Sequence, residues 1–142
     1  MPSDASNLIQ TVSAAILNDA GQLLLVRKRG SEILIQPGGK PEAGESPLDT
    51  LARELDEELG VGFDRSSATR LGRFEDEAVH ETGWRIRTET WLVNIIGTPS
   101  PQSEIAEMLW INLTALGPHP IAPLSRKHII PAVLAWQQAA ES

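Results

Sequence analysis

Short apolar runs dominate this chain, and helical spacing of apolar residues is confined to the segment after Ser46 and to the C-terminal stretch. Ile9 to Leu17 combines apolar and small residues and reads as a strand. The turn Asn18-Asp19-Ala20-Gly21 joins it to a second strand, Gln22 to Arg27, as a hairpin. Lys28 to Ser31 is a basic turn, Ile33-Leu34-Ile35 a short buried strand, and Pro37-Gly38-Gly39 breaks it. Thr69 to Val79 and Trp84 to Ile96 are rich in strand formers and flank a turn at Glu81-Thr82-Gly83. On the second of these, Ile86, Thr88, Thr90, Leu92 and Asn94 share one face, with Arg87, Glu89, Trp91, Val93 and Ile95 on the other. Thr98 to Pro101 is a loop, and Ile105 to Ile111 is a further strand around Trp110. Pro118, Pro120 and Pro123 punctuate a connector. Ser125 then caps a final helix to about Ala140, in which Pro131 either makes a kink or marks a later start. Residues 1–7 are polar and predict a flexible tail, leaving 8–142 as the domain. Mixed strands, one helix, more strands and a last helix give an α+β sandwich.

The helix after Ser46 has well-marked ends. The Ser46 hydroxyl can accept a hydrogen bond from a free first-turn N–H. Pro47 sits at N1, where a missing N–H costs nothing, and Asp49 at N3 stands in for the glutamate of a capping box. Gly60 ends the helix. Leu48, Leu51, Leu55 and Leu59 form an apolar stripe. Glu54, Glu57 and Glu58 stand at i, i+3 and i+4 on one face bordering that stripe. Three carboxylates so placed repel one another, and hard oxygen ligands suit Mg²⁺ or Mn²⁺. The plainer reading of such a cluster is a solvated acidic helix face.

Composition narrows the field. The chain has 142 residues, is 41% hydrophobic and 22% charged, and fits one soluble domain. A net charge of −7 without a basic block argues against binding long nucleic acid. It leaves room for a small phosphate substrate, because bound cations reverse the local sign. The absence of cysteine removes disulfides and thiol chemistry. No signal pattern precedes Ile9, and no apolar run reaches the roughly 20 residues of a membrane span. A cytoplasmic protein with no membrane contact is the expectation.

Taken as a whole, residues 39–61 decide against a mere acidic surface. Gly39, Glu45, Arg53-Glu54-Leu55, Glu57-Glu58 and Gly60-Val61, at their spacings, resemble the Nudix box at every defined position, and Gln36-Pro37-Gly38 resembles its lead-in. The resemblance implies the α/β/α Nudix sandwich with a mixed sheet. It implies that Glu54, Glu57 and Glu58 bind metal, with the Gly39 carbonyl as a further ligand. Arg53 matches the arginine that holds a motif glutamate in place, and Glu45 its loop partner; Arg53 and Glu57 also form an i, i+4 pair.

The implied activity is metal-dependent hydrolysis of a nucleoside diphosphate linked to another group. Candidates for the catalytic set are Arg53, Glu54, Glu57 and Glu104, with Glu107 a further candidate base. Phe74, Trp84 and Trp91 are candidate walls for a base, and Arg85 and Arg87 candidate phosphate contacts, although a strand aromatic is more often core. His119 and His128 read as a loop and a helix-face histidine. There is no proline between Pro47 and Pro99 and no tyrosine, which departs from the markers of adenosine-diphosphate-ribose and diadenosine polyphosphate hydrolases. The MutT-like group remains: nucleoside triphosphates, some oxidised, cleaved to monophosphate and pyrophosphate. Nucleotide-sugar or dinucleotide hydrolysis, or a non-catalytic nucleotide sensor, are the alternatives; isoprenoid isomerases of the fold use a cysteine absent here. A homodimer is common among relatives.

Overall fold

Leu8–Ala15 (β1) is the inner strand on which the rest is assembled. In the computed structural model, which describes residues 7–141, it lies between Gly38–Gly39 (β4) and Arg85–Leu92 (β7). Thr69–Glu77 (β6) completes this four-stranded sheet in the order β4-β1-β7-β6. The β1–β7 pair is parallel and the other two pairs are antiparallel, so the sheet is mixed. A second, antiparallel sheet has the order Leu34–Ile35 (β3), Leu23–Lys28 (β2), Ile105–Ile111 (β9). Gly62–Phe63 (β5) pairs with Ile95–Ile96 (β8). The helices are Pro47–Leu59 (α1) and Ile130–Glu141 (α2).

Strand alternation builds the layers. Val12 and Ala14 of β1 and Ile16 just after it, with Leu24 and Val26 of β2, pack against Leu51, Leu55 and Leu59 of α1. Ala15, Leu23 and Leu25 face the opposite way and join Ile129, Ile130 and Val133 around α2. Leu23 to Val26 is an unbroken apolar run because both faces of β2 are covered. The result is the α/β/α arrangement of an α+β fold.

Three expectations need adjustment. The hairpin survives only at its tip, where Leu17 bridges Leu23 and the Leu24 N–H bonds the Ile16 carbonyl at 2.9 Å. Beyond it β1 and β2 enter different sheets, since β7 and β9 offer each a longer partner. The strand expected to reach Ile96 stops at Leu92, and the Asn94 carbonyl takes the Asp64 N–H at 3.0 Å as the chain turns toward β5. Ser125 is not a cap. It lies inside a π-helical segment, Leu124–Ile129, and its carbonyl accepts from the Ile130 N–H. α2 therefore starts late, with Pro131 in its first turn, where a missing donor is tolerated. The expected flexible tail falls almost entirely on residues 1–6, outside the described ones. No described helix is long and apolar enough to cross a membrane.

Candidate functional site

α1 begins and ends as its sequence demands. The Asp49 N–H donates to the Ser46 hydroxyl and the Ser46 N–H to the Asp49 carboxylate, both at 3.1 Å. Gly60 adopts φ 69° and ψ 27° and closes the helix onto the Asp56 carbonyl. A helix fixed at both ends presents its glutamates in a fixed rotation about the axis.

That rotation divides the three acids. Glu58 is only 4% exposed and accepts a hydrogen bond from the Gly38 N–H at 3.2 Å. Burial, opposed by the Gly38 bond and reinforced by the neighbouring Glu54 carboxylate, pushes its carboxyl up to about 8. Glu54 is half-buried and clamped by the Arg53 guanidinium, Nη1 to Oε2 at 2.7 Å. Glu57 is exposed. Sequence spacing had treated the three alike; the closeness of Glu58 to the leucine stripe separates them.

Arg53 organises the loop before the helix. It grips Glu45 through Nε at 2.8 Å and Nη2 at 2.9 Å, and donates to the Lys40 carbonyl at 3.0 Å. The Arg53 hydrogen bonds, with the Glu42 backbone, hold the Glu45 carboxyl down to about 2. The i, i+4 partner Glu57 takes no part, because the loop carboxylate and Glu54 occupy the guanidinium.

The glycines are needed for close approach. Gly38 has φ 145°, and a Cβ there would overlap the Val12 carbonyl oxygen of β1. A Cβ on Gly39 would overlap the Glu54 carboxyl group itself.

These residues open into one cavity of about 460 Å³. Gly39, Arg53, Glu54 and Glu58 lie at one end, Thr11, Ser13, Ile86 and Thr88 form the sheet floor, and residues 78–81 form a wall. Glu104 reaches the rim, 3.7 Å from Lys28 Nζ, whereas Glu107 pairs with Arg27 at 3.0 Å outside the lining. Glu57 does not line this cavity.

Phe74, Arg85 and Arg87 are not brought to it. Phe74 packs on the α2-side core and stacks on His128 at 6.4 Å, and His128 in turn pairs with Asp76 at 2.9 Å. Arg85 and Arg87 are held by Glu75 at 2.7 and 3.0 Å, cross-strand neighbours between β6 and β7. Trp84 and Trp91 also lie off the lining, the latter bonded to Glu89 at 2.9 Å. The sequence signal for the floor was present: Thr11, Ser13, Thr88 and Thr90 put hydroxyls on faces otherwise apolar. Gln36 and Ser125, also lining, carried no such signal.

The residues fit a hard divalent cation. Two carboxylates, one buried and shifted up, stand side by side at the cavity end, and a cation between them would offset the strain of ionising both. Among the described residues no three His, Cys, Asp or Glu side chains converge at ligating distance. One or two carboxylates plus substrate oxygens is the usual Mg²⁺ arrangement.

Comparison with known proteins agrees with this geometry. The NUDIX domain profile matches residues 8–133. An 8-oxo-dGTP diphosphatase of Haemophilus influenzae is 40% identical over 58 residues, 38% of this chain and 43% of that protein. An RNA pyrophosphohydrolase of Halorhodospira halophila is 39% identical over 59 residues, 42% of this chain and 33% of that protein. The chain thus spans less than half the length of these relatives. The solution structure of the Escherichia coli ORF135 protein superposes with a TM-score of 0.75 at 28% identity, covering 98% of this chain and 97% of that one.

Proposed function

Given that this chain belongs to the NUDIX family, whose hydrolases are generally divalent-metal dependent, we propose that it is a metal-dependent pyrophosphohydrolase. Its substrate is a nucleoside diphosphate bearing a further group, foremost a nucleoside triphosphate, oxidised ones included, cleaved to monophosphate and pyrophosphate. The observation that carries this reading is the pairing of buried Glu58 with clamped Glu54 at the end of a cavity large enough for a nucleotide.

Mg²⁺ or Mn²⁺ at Glu54 and Glu58, with the Gly39 carbonyl and exposed Glu57 as further oxygen donors, would neutralise phosphate oxygens and lower the pKa of a bound water. The chain's own residues do the positioning. Arg53 fixes the Glu54 carboxylate, and Glu45 fixes Arg53. The Gly38 N–H fixes Glu58. Glu104 at the rim is the candidate base for the attacking water, with Lys28 beside it to offset its charge and meet a phosphate. A water oxygen bonds to one phosphorus as the bond from that phosphorus to the bridging oxygen breaks, and the proton passes to the base.

A small nucleotide is favoured over a long RNA end because the net charge is −7 and the described residues lining the cavity form no basic track. A panel assay with Mg²⁺ or Mn²⁺ tests the proposal on standard and oxidised nucleoside triphosphates, nucleotide sugars, dinucleoside polyphosphates and a 5′-triphosphorylated RNA. Preferred release of pyrophosphate from a triphosphate supports it. Preference for a sugar, a dinucleotide or RNA overturns the substrate, and nucleotide binding without turnover overturns the enzyme.

A further inference from the structure

Thr11 lies on β1 between Ile9 and Ser13, and all three residues line the cavity. Successive strand residues face opposite ways, and Val12 and Ala14 point into the α1 core, so Ile9, Thr11 and Ser13 turn to the other face. Their partners on β7, in register, are Ile86, Thr88 and Thr90, and Ile86 and Thr88 also line the cavity. The Thr11 side chain is therefore flanked on its own face by cavity-lining neighbours.

The hydroxyls of this floor are not equivalent. Thr88 Oγ1 donates to Ser13 Oγ, and Ser13 Oγ bonds Thr90 Oγ1, each at 2.9 Å. Thr88 and Thr90 are fully buried and Ser13 nearly so. Thr11 is only half-buried, and among the described residues nothing bonds its hydroxyl. That hydroxyl is not sealed off either, since Gln36 Oε1 is the one buried side-chain polar atom without a partner among the described residues. Thr11 thus offers the open hydroxyl of the floor, free both to donate and to accept.

Its level along the floor indicates what it meets. β1 pairs with β4 at Val12–Gly39 and Ser13–Gly38, so Ser13 stands beside the loop that donates to Glu58 and abuts Glu54. Thr11 is two residues further out, about 7 Å along the strand, and the Ile9–Ile86 pair is about 7 Å beyond that. From the acids outward, the floor runs from mutually satisfied hydroxyls through one open hydroxyl to two isoleucines. A nucleotide has a matching order: phosphates, a hydroxylated sugar, a flat base. With phosphates at the acids, the sugar lies over Thr11 and the base over the isoleucines.

Resting on the nucleotide reading above, we propose that Thr11 Oγ1 hydrogen-bonds a ring hydroxyl of the substrate's sugar, so that β1 reads the sugar and not the base. Thr11 is a binding residue and takes no part in breaking the bond.

The test is calorimetric binding of non-hydrolysable α,β-methylene triphosphates of each common base, carrying ribose, 2′-deoxyribose or 2′,3′-dideoxyribose. Thr11→Val keeps the branched shape and removes the hydroxyl, and Thr11→Ser keeps the hydroxyl. Wild type and Thr11→Ser should bind a hydroxylated sugar about tenfold more tightly than the dideoxy one, and in Thr11→Val that ratio should fall to about one. With hydrolysable substrate, Thr11→Val should raise KM while kcat stays within about twofold. A ratio near one in the wild type, or a ratio that survives in Thr11→Val, overturns the proposal. Should Thr11→Val fold poorly, Thr11→Ala takes its place with the same expected loss of the ratio. No binding of any analogue overturns this inference and the nucleotide reading together. Binding with the expected ratio but no turnover refutes the proposed function and leaves this inference standing.

Discussion

Replacing Gly39 with alanine separates catalytic geometry from stability. The alanine Cβ would stand 2.8 Å from Glu54 Oε1 and overlap the rest of that carboxyl group. Ordinary non-bonded contact is about 3.5 Å, so the carboxylate must withdraw by roughly 1 Å. It is tied to Arg53 at 2.7 Å, and a 1 Å shift away from that donor exceeds hydrogen-bonding range. A misplacement of this size at a reacting centre costs about 10²-fold in rate. Stability should change little. Gly39 is not among the positive-φ glycines, the obstructing atoms end a side chain, and alanine narrows the unfolded ensemble by about 0.4–1 kcal/mol. Gly39→Ala should therefore lose about 10²-fold in kcat/KM on the best substrate while its thermal midpoint moves by no more than about 3 °C. The double variant Gly39→Ala, Glu54→Asp retracts the carboxylate by one methylene and should exceed Gly39→Ala in activity. An alanine variant with full activity and an unshifted midpoint would refute the contact between Gly39 and a working Glu54.

Other outcomes follow from the same geometry. Burial pushes the Glu58 carboxyl up to about 8 from the 4.5 of a free glutamate, so the folded state retains a proton that the unfolded state gives up. Without divalent cation, the stability from this group is full below pH 4.5 and is lost as pH rises toward 8. Thermal melts in chelator should show that decline, Mg²⁺ should reverse much of it at pH 8, and Glu58→Gln should flatten both responses. Leu55→Ala empties a fully buried site in the α1 core and should cost about 2–5 kcal/mol by urea denaturation. Arg85→Ala with Arg87→Ala breaks only the Glu75 pairs, so kcat/KM should stay within about twofold; a tenfold loss would return these arginines to the substrate site.

The core of the fold was legible because local signals and burial coincide. The capping box at Ser46 and Asp49, the leucine stripe and Gly60 each specify the same helix, and each is found as read. Ile105 to Ile111 likewise keeps both boundaries. What failed depended on long-range pairing. A turn at Asn18 to Gly21 says that the chain reverses, but whether two strands remain together depends on β7 and β9, far along the chain. The site divides in the same way. The spacing of Arg53, Glu54 and Glu58 carries its own geometry, since a helix converts sequence interval into direction. Phe74, Arg85 and Arg87 were chosen by residue type alone, and type does not say that Glu75 lies opposite the arginines or that His128 covers the ring. The cavity wall comes from residues 78–81 and from the segment entering α2, which have no periodic pattern to reveal them.

The unequal treatment of the three glutamates suits the task of the site. A buried carboxylate with a backbone donor cannot swing, and a carboxylate held by arginine cannot rotate, so Glu58 and Glu54 fix one position for positive charge. Glu57, exposed and free of the Arg53 clamp, would be free to turn toward a cation bound with substrate oxygens on the proposed function. On the proposed function, the two held carboxylates would supply pre-organisation and the exposed one the freedom to adjust to a metal–phosphate complex. The same logic applies to the network Glu54–Arg53–Glu45, in which the guanidinium fork holds both carboxylates and each link fixes the next.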